Sequence, residues 1–150
     1  MKKRILTIFS LILILGSLLS MTVFALDIEP EIPEDPVDPD EPYVDISYYN
    51  CGCSLDSGSG LVYCSSYAQT RDTTYKIYLN ITLQRYKDGY WQTYAGPWSG
   101  SGTGYAGVYK YYYVVPGYYY RTASAVTVRD SSENLIETSY LYSPSRYYGS

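Results

Sequence analysis

Between Thr74 and Tyr86 the chain alternates with period two. Ile77, Leu79, Ile81 and Leu83 fall on one side, and Lys76, Tyr78, Asn80, Thr82 and Gln84 on the other. A helix would scatter these apolar residues around its circumference, whereas an extended strand lines them up on one face, so this segment predicts a half-buried β-strand. The same texture of Tyr, Val, Ile and Thr recurs from Ile46 onward, punctuated by glycine-rich turns, and no helical period survives for more than one turn.

Six further strands are expected. Ile46 to Leu55 and Gly60 to Thr70 flank Asp56-Ser57-Gly58-Ser59, which has the composition of a hairpin turn. Lys87-Asp88-Gly89 turns the chain into Tyr90 to Ala95, Pro116-Gly117 separates Tyr109 to Val115 from Tyr118 to Arg129, and Asp130 to Asn134 leads into Leu135 to Tyr142. Gly96 to Gly107, GPWSGSGTGYAG, is so rich in glycine that it reads as an exposed loop carrying Trp98. About seven short strands in roughly 100 residues predict an all-β fold, an antiparallel sandwich of two sheets, with a small barrel as the alternative.

Not all of the 150 residues belong to that fold. Lys2, Lys3 and Arg4 precede an apolar run from Ile5 to Leu19, and Val23-Phe24-Ala25 supplies small residues for a peptidase, so residues 1–25 read as a signal peptide cleaved after Ala25. The other reading, an uncleaved anchor, requires an apolar run of about 20 residues, longer than this one. The expected location is therefore secreted, or extracellular, with no stable membrane insertion.

Residues 26–45 read as an acidic, Pro-rich linker, disordered by composition: nine acids and no bases, with prolines that fix φ and remove donors. A weak calcium site from Asp35, Asp38, Asp40 and Glu41 is the competing reading, and the intervening prolines oppose curling these carboxylates around one ion. Residues 46–150 form the expected domain, which from Ile46 carries eight Lys or Arg against six Asp or Glu. Such a nearly neutral chain has no extended basic face, and nucleic acid is not an expected partner.

Chemistry-bearing groups are sparse. There is no histidine, so neither a Ser-His-Asp nor a Cys-His site can be written, and three cysteines without histidine do not make a closed zinc centre. Asp56, Asp72, Asp88, Asp130, Glu133 and Glu137 could supply paired carboxylates, yet all but Glu137 fall in expected turns, where acids are ordinary turn formers. No catalytic residue, metal or cofactor is assigned, and the chain is not expected to be an enzyme. Asn80-Ile81-Thr82 fits a glycosylation acceptor but lies mid-strand, and is read as strand.

Cys51, Cys53 and Cys64 would oxidise in an exported protein. If the first hairpin pairs symmetrically about Ser57-Gly58, Cys51 faces Cys64, which makes these two the disulfide candidates and leaves one thiol over.

The 22 tyrosines are the feature most open to a functional reading. Part of the enrichment is structural, because a tyrosine buries its ring while its hydroxyl reaches water or a carbonyl. Trp98, Tyr109, Tyr111 and Tyr113 are the candidate binding residues, exposed rings that could stack on sugars or anchor a protein. Both sides of Tyr109 to Val115 are apolar, so the pattern leaves open which side faces out. The expected role is a binding module for a protein or glycan at the cell surface; a structural subunit that self-associates through a sheet edge or the leftover cysteine is the alternative.

The run Lys76-Ile77-Tyr78-Leu79-Asn80-Ile81-Thr82-Leu83-Gln84-Arg85, followed by Trp91, together with Gly117-Tyr118-Tyr119-Tyr120-Arg121, resembles a family of small secreted proteins of Gram-positive, largely clostridial, bacteria that carry no assigned function. The resemblance spans about Ser47 to Ser143 and implies an immunoglobulin-like or fibronectin-like antiparallel sandwich. Pro116-Gly117 followed by Tyr120 also looks like the tyrosine corner of such domains, in which the phenol bonds back to the upstream backbone.

Overall fold

The structure, a computed structural model, describes residues 43–149. The expected signal peptide, nearly all of the acidic linker and its calcium candidates Asp35, Asp38, Asp40 and Glu41 lie outside the described residues. Among the described residues there are eight strands: β1 (Ile46–Asp56), β2 (Leu61–Thr70), β3 (Lys76–Lys87), β4 (Tyr90–Thr103), β5 (Tyr105–Tyr113), β6 (Tyr118–Arg129), β7 (Leu135–Tyr142) and β8 (Arg146–Tyr148). They form two antiparallel sheets, β1-β2-β5 and β4-β3-β6-β7, with β8 pairing β6.

The alternation in β3 decides the core. Ile77, Leu79, Ile81 and Leu83 are fully buried and meet Val126 and Val128 of β6, and Val62, Cys64, Ala68 and Val108 of the other sheet. A polar relay crosses the interior without leaving a donor stranded. Tyr49 Oη donates to Ser124 Oγ at 2.9 Å, Ser124 Oγ to Ser66 Oγ at 2.8 Å, and Ser66 Oγ to the Asn50 carbonyl at 2.9 Å. Buried hydroxyls satisfied in series tie β1, β6 and β2 together.

Turn chemistry sets the connections. Asp88 and Gly89 both take positive φ (57° and 86°), the backbone of a two-residue turn that matches strand twist. In the first hairpin Asp56 opposes Leu61, so the turn is the four residues 57–60, closed by a Gly60 N to Asp56 O bond of 2.8 Å. The back-bond expected of Tyr120 is present: its ring is buried and its hydroxyl donates to the Val115 carbonyl at 2.8 Å.

Three expectations need correction. Gly96 to Gly107 is not a loop: β4 runs on through it to Thr103, and β5 begins at Tyr105. The period-two pattern is there, written as glycine against serine. Trp98, Gly100 and Gly102 pair with the inward residues Ile81, Leu79 and Ile77, while Ser99, Ser101 and Thr103 pair with the outward ones. The glycines are required by close approach. A Cβ on Gly100 would lie 2.6 Å from the Gly107 carbonyl oxygen, and one on Gly102 would lie 2.0 Å from that of Tyr105. Here β4 of one sheet meets β5 of the other, and only residues without side chains fit.

Second, the Cys51–Cys64 pairing fails on register. The four-residue turn lies one position further along, at 57–60 in place of 56–59, so that Cys53 opposes Cys64 and Cys51 opposes Ser66. Third, the strand count gains β8. It pairs Tyr118 to Tyr120 on the flank of β6 where β7 pairs Ala123 to Arg129. Pro144 lies in the gap between them and has no N–H to give, while Ser143 bonds Thr122 through its backbone N–H and its hydroxyl.

The start of the domain is also anchored. The Glu137 carboxylate on β7 accepts the backbone N–H groups of Val44, Asp45 and Ile46 at 3.0 to 3.3 Å, and the Tyr43 ring meets Tyr49 edge-on at 5.9 Å. Glu137 was the acid outside the expected turns, and here it organises the entry of the chain into β1.

Candidate functional site

Strand register converts alternation into a surface. On the outward side of the β1-β2-β5 sheet, five rows follow from the pairing: Asp56, Leu61 and Tyr113; Ser54, Tyr63 and Tyr111; Gly52, Ser65 and Tyr109; Asn50, Tyr67 and Gly107; Tyr48, Gln69 and Tyr105. Seven of these fifteen residues are tyrosines, and the one charge is Asp56 at a corner. The remainder are small, or neutral and polar, apart from Leu61.

The rings are presented rather than packed away. Tyr109, Tyr111 and Tyr113 are 65 %, 57 % and 67 % exposed. Tyr63 braces two of them, with centroids 4.9 Å from Tyr111 and 6.2 Å from Tyr109. On the other side Tyr63 and Tyr67 share a hydrogen bond between their hydroxyls at 3.2 Å. These two rings flank Ser65, which is only 6 % exposed although it points away from the core. The bond to Tyr67, then burial, pushes the Tyr63 phenol up to about 12, so it stays neutral at any ordinary pH. Gly107 matters for shape: a Cβ there would lie 3.1 Å from the Tyr67 ring.

The candidate binding residues divide. Tyr109, Tyr111 and Tyr113 share this face as the spacing predicts. Trp98 does not join them: it points between the sheets, half-buried against the core, 5.9 Å from Tyr112. Tyr112 in turn stacks edge-on with Tyr94 at 6.0 Å, and Tyr94 with Tyr120 at 5.6 Å. That chain of rings packs Trp98 against the core, away from the tyrosine face. Sequence reading missed Tyr48, Tyr63, Tyr67 and Tyr105, whose membership of the face follows only from the register of β2 with its two neighbours.

The opposite sheet holds an element that no motif announced. Arg121, buried on the outer side of β6, has its guanidinium 4.2 Å from the ring centres of both Trp91 and Tyr142, and its Nε donates to Gln84 Oε1 at 2.9 Å. At the end of the interior Arg85 lies over Tyr118 at 4.6 Å and Tyr94 at 4.8 Å. Planar cations stacked on aromatic faces replace aliphatic packing in a domain short of leucine.

The acids are occupied locally. Asp56 accepts from Ser59 Oγ and Gly58 N, Asp72 from the Thr74 side chain and backbone, and Asp130 from Asn134 and Ser132. In each the bond with the neighbouring side chain, reinforced by the backbone, lowers the carboxyl below its usual range. Glu133 pairs with Lys76. Among the described residues no group of three or more Cys, Asp or Glu is placed to hold a metal ion, and no helix is long and apolar enough to cross a membrane.

Comparison with protein-family models finds no match for this chain, and comparisons with curated proteins and with solved structures likewise find none.

Proposed function

We propose that this is an exported, non-enzymatic binding module that recognises a neutral glycan through the outward face of the β1-β2-β5 sheet. One observation carries the reading: the seven tyrosines of that face stand among Ser, Asn, Gln and Gly with a single carboxylate at the margin. An aromatic ring offers its flat side to the C–H face of a sugar, and its hydroxyl bonds the sugar's own hydroxyls. A charged ligand would find no counter-ion there. A protein partner usually places a large side chain into a pocket, and this flat sheet face presents rings and hydroxyls in its place.

We further infer that the sandwich is immunoglobulin-like, in a fibronectin-like arrangement. Tyr120 bonds back to Val115 near the start of the sixth strand, and β4 joins the β3-β6-β7 sheet rather than the edge of β1-β2-β5. Of the two routes to the alternative role of self-assembly, a sheet edge or a leftover cysteine, the cysteine route is disfavoured because Cys51, Cys53 and Cys64 are all buried.

Calorimetric titration with soluble neutral polysaccharides and, in parallel, with an acidic one tests the reading. Binding to a neutral polymer, weakened by roughly tenfold or more (about 1.4 kcal/mol) in Tyr109→Ala and Tyr111→Ala variants of unchanged melting temperature, supports it. Binding confined to the acidic polymer or to a protein, or neutral-polymer binding indifferent to both substitutions, overturns it.

A further inference from the structure

Directly beneath the tyrosine face, on the inward side of the same hairpin, lie three thiols. Cys53 and Cys64 occupy opposed positions on β1 and β2, both buried and both pointing into the core, with the Cys53 thiol 4.0 Å from the Tyr120 carbonyl. Cys51 lies two residues from Cys53 on the same inward side, opposite Ser66, and donates to the Thr122 carbonyl at 3.4 Å.

We propose that Cys53 and Cys64 are a disulfide-forming pair and that Cys51 remains a thiol. Directly opposed antiparallel residues have Cα atoms about 4.5 to 5.5 Å apart, inside the span of about 4.4 to 6.8 Å that a disulfide needs. Cys51 and Cys64 are diagonal neighbours, about 7 to 8 Å apart, and no bridge closes there without moving the backbone. Cys51 and Cys53 are next-but-one on a single extended strand, where their side chains run parallel and do not converge. Register therefore selects one pair of the three.

The reaction is thiol–disulfide exchange with a disulfide oxidant, either a small-molecule disulfide or an oxidoreductase that carries one. One thiolate of the pair attacks the oxidant, forming a mixed disulfide and expelling the oxidant's first thiol; the second thiolate then attacks the mixed disulfide and expels the other. Two protons and two electrons leave Cys53 and Cys64, and the oxidant's disulfide becomes two thiols. Both sulfurs are closed off once the second sheet covers the hairpin, so exchange belongs to the hairpin before the sandwich closes. The inference is independent of any glycan.

The test is to refold the reduced full-length protein with oxidised glutathione, block free thiols with iodoacetamide in denaturant, and measure intact mass. The expected protein is a monomer lighter by two hydrogen atoms that takes up one alkyl group, with peptide mapping that links Cys53 to Cys64. A Cys51→Ser variant is expected to oxidise in the same way and take up no alkyl group. Cys64→Ser is expected to keep two alkylatable thiols. Three alkylated cysteines in the native chain, a link through Cys51, or a disulfide dimer overturns the proposal. Because the wild type and Cys51→Ser decide it alone, a folding failure of Cys64→Ser does not shelter it.

Discussion

The hydroxyl of Tyr120 donates to the carbonyl of Val115, five residues upstream, at 2.8 Å, and so locks the corner at which the chain leaves β5 and enters β6. Removing only the phenolic oxygen leaves a buried ring and one unanswered carbonyl. Tyr120→Phe is expected to lower stability by about 1 kcal/mol, measured by urea denaturation, with an unchanged denaturant slope because the fold persists.

A glycine at position 100 has a different role, since its backbone needs no positive φ. The restriction comes from across the gap, where the Gly107 carbonyl oxygen would lie 2.6 Å from an added methyl group. Gly100→Ala is expected to cost about 2 kcal/mol through overpacking, although alanine is the better-favoured residue in most backbone settings. Ser99→Ala, one residue away and facing outward, is expected to change stability by less than about 0.5 kcal/mol. Thermal melts of the two variants side by side provide the comparison.

That contrast explains what could be read from the sequence. Around Ile77 to Leu83 the inward and outward sets differ in hydrophobicity, so the strand and its buried side were both legible. From Trp98 to Thr103 the alternation is equally regular but pairs glycine with serine and threonine, and hydropathy is silent about it. Along Tyr109 to Tyr113 the alternation was visible and its sense was not, because Tyr111 faces solvent and Tyr112 faces Trp98 with the same side chain. The cysteines show how much depends on a turn: displacing the four-residue turn by one position put Cys53 in place of Cys51 opposite Cys64. Candidate ring residues on β5 could be named from one strand, whereas the face they share with Tyr63 and Tyr67 required sheet register.

Alkali should weaken the fold more than mild acid. Burial pushes the Tyr120 phenol up to about 12 and the Cys51 thiol to about 12, and burial also raises Tyr49 above the ordinary tyrosine value. Below the unfolded values, about 8.5 for cysteine and 10 for tyrosine, both states hold these protons and stability does not depend on them. As pH rises past those values the unfolded chain releases protons that the folded chain retains, so the contribution is lost. A melting temperature level from about pH 6 to 8 and falling above about pH 9 is expected. Tyr49→Phe should flatten part of that fall.

The claim that the outward sheet face is a glycan platform is tested most directly by hydroxyl-radical footprinting of the protein with and without a neutral polysaccharide that it binds. The account predicts that Tyr109, Tyr111 and Tyr113 react readily alone and become protected by the polymer, while Tyr90 and Tyr140 of the other sheet react equally in both conditions. Unchanged reactivity at Tyr109, Tyr111 and Tyr113, or protection at Tyr90 and Tyr140 in their place, would contradict it.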